Sequence, residues 1–331
     1  MNSLISIIIP TFNRSSLVLI TLNSIINQTY RNWECIIVDD GSDYNNFLEI
    51  ENYSKKDKRF KLFKRPINVL KGANSCRNFG IKQSKGEFLI FFDSDDLMNS
   101  ICLENRINFF NKYSEYDFLV FSMGGFIKKS NCYPLKDRKV VNLSNKKTIE
   151  EFIFSKRLPW NVCRPIFKSS LIRNRIWFNE NIQNFQDDEF NVRVLANLKP
   201  NYKSIDFTDS YYRMESSNIN KYNNNVGKQN LLNSFFEYSK TIFYVLENSQ
   251  VIQNRDKLIL KFFSILRFNI SKESNLINVN RTISLFKDKI KLTRKEMFLL
   301  KSMIYLNKYY FNKKGYYILT QYIEYFFVNT K

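Results

Sequence analysis

The 331-residue chain contains no histidine. That absence excludes a Ser-His-Asp or Cys-His apparatus and any His-ligated metal, and leaves Asp and Glu as the obvious bases. Cysteine is sparse: Cys35, Cys76, Cys102, Cys132 and Cys163 are odd in number and form no Cys-x-x-Cys pair. Neither a disulfide framework nor a zinc site is indicated, and the thiols are expected to be reduced and mostly buried. No Gly-x-Gly-x-x-Gly and no Gly-x-x-x-x-Gly-Lys-Ser/Thr follows a predicted strand, which argues against a pyrophosphate cradled by glycine amides. No apolar run approaches the ~18 residues of a membrane-spanning helix. The first residues do not combine a basic stretch, an apolar core and a small-residue cleavage site, so a cytoplasmic location is expected.

What is present is a globular composition, 44% hydrophobic, long enough for one large α/β domain with a smaller appendage. The formal charge of +20 implies a polyanionic neighbour: nucleic acid, an anionic membrane face or a phosphorylated substrate. Composition does not choose among them. The apolar run Leu4–Pro10 reads as a strand, followed by helical spacing over Leu17–Gln28. Glu34–Val38 reads as a second strand, with a turn-and-cap cluster at Asp39-Asp40-Gly41-Ser42-Asp43 and a helix to about Lys56. Phe60–Phe63 is a short third strand, Gly72–Ser84 is helical, and Leu89–Phe92 is a further buried strand. This alternation predicts right-handed β-α-β crossovers and a mainly parallel sheet.

Polar groups gather at the strand ends: Pro10-Thr11-Phe12-Asn13-Arg14 after the first, Asp39-Asp40 after the second, Asp93-Ser94-Asp95-Asp96 after the fourth. Ligands of open α/β sheets bind outside the carboxyl ends of strands, so this shared rim is a predicted pocket. Three carboxylates within four positions repel one another unless a cation compensates, and hard oxygen ligands favour Mg²⁺ or Mn²⁺. The alternative is an acidic helix cap, and Asp39-Asp40 equally suit a cap and turn.

In order and spacing, Ser6-Ile7-Ile8-Ile9-Pro10-Thr11-Phe12-Asn13-Arg14, Val38-Asp39-Asp40-Gly41-Ser42, Arg77-Asn78-x-Gly80-Ile81 and Phe92-Asp93-Ser94-Asp95-Asp96 resemble the family 2 glycosyltransferases, inverting enzymes of the GT-A nucleotide-sugar fold. The likeness covers about residues 3 to 100 strongly. It implies an α/β GT-A catalytic domain over residues 1–227, with a donor half to about 100 and an acceptor half over 101–227. It also implies a nucleotide-diphospho-sugar donor, a uridine one, and a Mn²⁺ or Mg²⁺ cofactor. The reaction implied is bacterial surface-polysaccharide assembly (capsule, O-antigen or lipopolysaccharide) on a glycan or lipid-linked acceptor, with no nucleic-acid partner. Carried over residue by residue, Pro10, Thr11, Asn13, Arg14, Asp39, Asp40, Arg77, Asp93 and Ser94 serve the nucleotide-sugar, with Asp40 on the base. Asp95 is the principal metal ligand, with Asp93 toward the ribose and metal-bound water and Asp96 a second ligand or cap. Further on, Asn184-Phe185-Gln186-Asp187-Asp188-Glu189-Phe190 resembles the family's Glu-Asp-x-x-Phe segment. Gln186 stands where Glu is usual and Asp187 falls at the base position, with Asp188 next in line. Three acids at a helix start are also favoured by the macrodipole alone. Trp160 and Asn161 sit where the family builds its acceptor floor, although Trp160 equally suits a core. Tyr211-Tyr212-Arg213-Met214-Glu215-Ser216-Ser217 looks like the family's Tyr-Arg loop, which folds over the donor diphosphate, and the resemblance puts Tyr212 and Arg213 with Trp160 and Asn161 among the acceptor residues.

Residues 228–331 form a different kind of sequence, helical in pattern, with 18 Lys and Arg against 7 Asp and Glu. Thr293-x-x-Glu296 carries a capping-box signature. The region is either a bundle with basic outer faces or a surface, rich in Tyr and Phe, that docks peripherally on the anionic inner face of the cytoplasmic membrane. The oligomeric state has no signature. The rival reading of the whole chain is a non-catalytic module binding nucleic acid or membrane on a decayed nucleotide-sugar fold. Joint retention of Asp40, Asp93, Asp95 and Asp187 speaks for the enzyme.

Overall fold

The computed structural model describes residues 3–126, 133–138, 145–155, 158–214, 224–249, 254–311 and 313–329. The chain divides into two compact units. The first comprises Met1–Asn145, Leu158–Glu180 and Asn197–Glu215, and the second Lys146–Arg157, Asn181–Ala196 and Ser216–Lys331.

The first unit is built on a nine-stranded sheet in the order β3-β2-β1-β4-β8-β6-β9-β5, with β7 beside β6. The strands are β1 (Ile5–Thr11), β2 (Trp33–Asp39), β3 (Phe60–Lys64), β4 (Phe88–Phe91), β5 (Leu97–Met98), β6 (Phe118–Phe126), β7 (Tyr133–Arg138), β8 (Pro165–Lys168) and β9 (Tyr202–Arg213). Helices α1 (Ser15–Ile26), α2 (Tyr44–Ser54) and α3 (Ala73–Gln83) follow the first three strands, and α4 (Cys102–Lys112) and the short α6 (Ser169–Ile172) complete the unit. Every residue of β1 and β2 is buried, as expected of continuous apolar strands in a parallel sheet covered on both faces. Each fully buried Ile, Leu or Val there contributes roughly 1.5–3 kcal/mol. β1, β2, β3 and β4 are mutually parallel. The chain steps outward from β1 through β2 to β3 and then returns to the other side of β1 as β4, so the topology reverses between β1 and β4. A crevice at that reversal is the usual ligand position.

The expected strand and helix positions hold to within one to two residues. β4 ends at Phe91 rather than Phe92, whose amide still donates to Ile8 O at 2.9 Å. α3 lies close over β1, and a Cβ on Gly80 would collide with the Ile8 side chain. One expectation is corrected. Tyr211, Tyr212 and Arg213 are not in a loop but at the end of the twelve-residue β9, where Tyr211 pairs with Gly124 and Leu97, and Arg213 with Phe126. Ladder pairing on both sides draws them into the sheet. Glu215, Ser216 and Ser217 lie outside the described residues, as does Cys132; the other four cysteines are buried and free.

The second unit is helical: α5 (Asn145–Phe154, all but its first residue), α7 (Gln186–Arg193), α8 (Asn225–Asn248), α9 (Arg255–Asn269), α10 (Ile277–Ile290), α11 (Arg294–Tyr309) and α12 (Tyr316–Asn329). Its core includes Phe235, Phe262 and Phe286, with centroids 5.5 Å apart for the first pair and 4.6 Å for the second. The Thr293–Glu296 capping box opens α11. In this unit α5 and α7 group with the C-terminal helices. Ser234 Oγ accepts from the amides of Gln183 and Asn184, and the Lys261 ammonium donates to Ile153 O. No described helix is long and apolar enough to cross a membrane.

One fully buried ion pair ties the far end of the first unit's sheet together. Arg106 on α4 donates from Nε and Nη2 to the two carboxylate oxygens of Asp209 on β9, at 2.6 and 2.8 Å, with both side chains inaccessible. Asp209→Ala leaves the guanidinium buried without its counter-charge and is expected to cost about 3–5 kcal/mol of unfolding free energy in urea. Arg106→Met combined with Asp209→Leu should recover most of it. A double variant as unstable as the single one would show that packing, not the charge, is at issue.

Candidate active site

The rim predicted from sequence is assembled at the carboxyl ends of β1, β2 and β4. Thr11 and Asp39 are register partners on adjacent strands. Asn13 adopts a left-handed φ of 46°, a conformation Asn tolerates better than most residues. Its amide donates to Ser42 Oγ and its Oδ1 accepts from the Asp43 amide, both at 2.8 Å. Asn13 thus clamps the β1–α1 loop to the β2–α2 loop. Asp39 Oδ2 accepts from the Gly41 and Ser42 amides at 3.0 and 2.9 Å, in a turn that Gly41 permits by its φ of 87°. Asp39 Oδ1 and Thr11 Oγ1 are buried without a hydrogen-bond partner among the described residues. Such atoms cost free energy unless a ligand or water meets them. Asp40, nearly buried, accepts at Oδ1 from Arg65 Nε at 2.5 Å and the Gly72 amide at 3.1 Å, leaving Oδ2 for a ligand.

At the tip of β4 three carboxylates meet three arginines. Arg77 on α3, only 3% exposed, donates to Asp93 Oδ1 at 2.8 Å and to Asn74 Oδ1 at 3.2 Å. Arg14 reaches Asp95 Oδ2 at 3.5 Å. Arg213 donates from its amide to Asp96 Oδ1 and from Nε to Asp95 O, each at 3.1 Å. Burial, and then the Asp93 charge, hold the Asp95 carboxyl above its ordinary range, and the same causes together with Asp95 raise Asp96 further. Crowded carboxylates of this kind suit a divalent cation. Asp93 and Asp95, with side chains 40% and 14% exposed, are the accessible members. Asp96 and the unforeseen Cys163 place donor atoms within 4.8 Å of one another and of Asp93, but a thiol is a poor ligand for Mg²⁺ or Mn²⁺. Buried Asp96 fits the cap role, anchoring β9, better than that of an open ligand. Pro10 and Ser94 lie buried in the same rim.

In the second unit, Asp187, Asp188 and Glu189 occupy the first turn of α7. The preceding Phe185 is left-handed at φ 61°, its ring stacked on Tyr238 at 5.1 Å. A non-glycine residue held there marks a strained, over-determined turn. Glu189 is buried and fully engaged by Arg193, at 2.7 Å to each carboxylate oxygen, and by the Thr241 hydroxyl at 3.0 Å. Asp188 lies 3.9 Å from Lys261, whose ammonium also donates to Tyr238 Oη at 2.9 Å. Burial pushes the Asp188 carboxyl up to about 6, against the pull of Lys261, and desolvation lowers the Lys261 ammonium. Asp187 is half-buried, outside this Lys–Tyr cluster, and accepts from Asn191 Nδ2 at its carbonyl.

The expected acceptor residues are placed differently from one another. Trp160 is 1% exposed and packs against the stacked rings of Phe118 and Tyr202, so it is core and presents no ring face to a sugar. Asn161 is half-buried, with Nδ2 on Met123 Sδ at 3.6 Å and Oδ1 unpartnered. Tyr212 is half-buried on β9, and Arg213 is spent on the Asp95–Asp96 turn. Arg65 was not foreseen, because nothing local in the sequence pairs it with Asp40, 25 residues away.

Against protein-family models, residues 6–176 match the glycosyl transferase family 2 model. The chain belongs to glycosyltransferase family 2. The poly(ribitol-phosphate) β-N-acetylglucosaminyltransferase TarP of Staphylococcus aureus is 31% identical over 76% of this chain and 75% of its own length. The UDP-Glc:α-D-GlcNAc-diphosphoundecaprenol β-1,3-glucosyltransferase WfgD of Escherichia coli is 27% identical over 75% of this chain and 93% of its own. This chain spans less than half the length of several other curated relatives it matches. Among solved structures, S. aureus TarS 1–349 in complex with UDP-GlcNAc superposes with a TM-score of 0.61 at 20% identity, covering 92% of this chain and 89% of that one. The fold is GT-A and the family 2 glycosyltransferase is an enzyme.

Asp188 generates a pH test. Folded, it holds its proton to about 6, above the ordinary 3.8 that the unfolded chain keeps. Between those values the native state binds more protons, so stability falls as pH rises through the window, by on the order of 3 kcal/mol in all. The unfolding midpoint of the native protein relative to Asp188→Asn should therefore decline from pH 4 to pH 7. A difference that is flat in pH would refute the raised carboxyl.

Proposed function

We propose that this enzyme transfers a sugar, with inversion, from a UDP-sugar to a glycan or lipid-linked acceptor in bacterial surface-polysaccharide assembly, with UDP-N-acetylglucosamine the first donor to test. The observation that carries the reading is the rim at the β1/β4 reversal. Unpartnered Asp39 Oδ1 and Thr11 Oγ1 line up beside Asp40, Asp93 and Asp95, a set of acceptors suited to a nucleoside and a cation-bound diphosphate. The names and donors of TarP, WfgD and TarS agree with it.

In this reading Asp40 and Asp39 hold the nucleoside from one side while Asn13 keeps their two loops in register. Arg77 fixes the orientation of Asp93, and Arg14 lies beside Asp95. Asp93 and Asp95 are the residues that would hold Mn²⁺ or Mg²⁺, which supplies positive charge for the departing diphosphate. Asp187 accepts the acceptor hydroxyl proton as that oxygen attacks the anomeric carbon from the face opposite the diphosphate. The bond from the anomeric carbon to the diphosphate oxygen breaks as the new glycosidic bond forms, and no enzyme nucleophile is needed. Asp188, enclosed with Lys261 and Tyr238, acts on the position and charge of the α7 turn rather than on the substrate.

Asp95→Ala is expected to abolish both transfer and donor hydrolysis while leaving the thermal unfolding transition in place. Calorimetric titration with Mn²⁺ and UDP should show the lost metal binding directly, and unchanged Mn²⁺-dependent UDP binding would move the metal site elsewhere. Asp187→Asn is expected to keep donor and metal binding and to lower turnover by ~10²-fold or more, measured as UDP release with acceptor present. Asp188→Asn should be milder, and the reverse order of the two would make Asp188 the base.

A further inference from the structure

The C-terminal helices enclose a feature that donor chemistry does not use. A concave surface of about 1020 Å³ is bounded by the start of α8, the end of α9 with the turn after it, the end of α11 and the start of α12. Five of its lining residues are basic and one, Glu273, is acidic. Glu273 already accepts from Asn225 Nδ2 at 3.2 Å. Lys228, Lys272 and Lys308 have no carboxylate partner among the described residues. The floor is rigid. The buried Asn307 amide donates to Leu266 O on α9 and its carbonyl accepts from the buried Tyr316 hydroxyl, joining α9, α11 and α12. The walls present aromatic rings that the core does not claim: Tyr305, Tyr309 and Tyr317 are 55%, 53% and 60% exposed.

We propose that this concavity is a second binding site, for a phosphodiester-bearing glycan chain, that holds repeats of an acceptor polymer apart from the reacting one. The identity of the ligand rests on the surface-polymer reading above; the lining itself does not. Uncompensated ammonium groups spaced around a wall suit a row of phosphodiesters. Exposed tyrosine faces suit the carbon faces of sugars or polyols, with hydroxyls on their rims. The volume lies at the upper end of small-molecule pockets, enough for a short run of a polymer and more than one free phosphate needs. A membrane face is flat, and a concave cationic cup meets it only at its edge, so the geometry favours a chain over a bilayer.

The experiment uses the full-length protein without donor or metal, titrated with a fluorescent ribitol-phosphate oligomer at low and high salt. Neutral maltooligosaccharide, inorganic phosphate, phosphatidylglycerol vesicles and poly(U) serve as comparison ligands. The expected result is oligomer binding that weakens with salt and exceeds binding to each comparison ligand. Lys228→Ala/Lys272→Ala/Lys308→Ala should weaken it about tenfold or more and flatten the salt dependence, and Tyr309→Ala/Tyr317→Ala should weaken it with the salt slope retained. All substituted side chains are at least partly exposed, and Mn²⁺-dependent UDP-sugar hydrolysis should be unchanged in both variants. Equal oligomer binding by the lysine variant overturns the proposal, as does tighter binding to vesicles or to poly(U). Variant-sensitive oligomer binding in a protein that hydrolyses no UDP-sugar would uphold this site while removing the donor reading.

Discussion

Crowding of like charge at the tip of β4 is the constraint on which the first unit's architecture depends. Asp93, Asp95 and Asp96 follow a fully apolar strand, so their carboxylates start from a low-dielectric wall and repel one another. The fold answers with arginines drawn from three distant parts of the chain: Arg14 from the β1 loop and Arg77 from α3 pair with carboxylates, and Arg213 from the end of β9 donates its amide to Asp96 and its Nε to the Asp95 carbonyl. Each arrives on an element whose position is set by something else. α3 lies close over Ile8 at Gly80, and β9 is held by its ladders to β6 and β5, with the Arg106–Asp209 pair tying it to α4. Partial compensation is the useful outcome. The Asp95 carboxyl remains raised despite Arg14 and Arg213, which leaves an affinity for further positive charge at the tip of β4.

The donor half was legible because its signals are local. Apolar runs of β1, β2 and β4 end in polar clusters within a few residues, and such runs read as buried parallel strands from sequence alone. What escaped was what depends on pairing at long range. The Tyr211–Arg213 segment is a loop by the family resemblance and a strand here because β6 and β5 supply ladder partners. Arg65 and Cys163 join the rim only through the fold. Trp160 had two readings in sequence, and burial against Phe118 and Tyr202 selects the core one. The grouping of α5 and α7 was hidden for a related reason: they are interleaved with strands in sequence, yet they fall in one compact unit with the C-terminal helices.

At the start of α7, three successive acids looked interchangeable in sequence and are not so in structure. Glu189 is neutralised by Arg193 and Thr241, and Asp188 is withdrawn into a pocket with Lys261 and Tyr238. A carboxylate that has lost its water and gained one ammonium at 3.9 Å trades solvation for a single distant charge, which is why its proton affinity rises. All three stand in the first turn of α7, but two of them are drawn into contacts within the unit, so their surroundings differ although their place on the helix does not.

The same logic of incomplete compensation separates the basic groups of the second unit. Lys289 is paired with Glu247, Arg255 with Glu296 and Lys240 with Glu237, so a good part of the excess charge serves ordinary surface pairing worth little to stability. Lys228, Lys272 and Lys308 are different because they surround a concavity whose single acid is already bonded to an amide. Ammonium groups grouped around a concavity repel one another more than the same groups on convex surface, and under the proposal above a bound polyanion offsets that repulsion. The first unit thus carries carboxylates that are only partly compensated at the tip of β4, and the second carries ammonium groups around its cavity that lack carboxylate partners among the described residues; under the readings proposed above, each unit gains from a ligand of opposite charge.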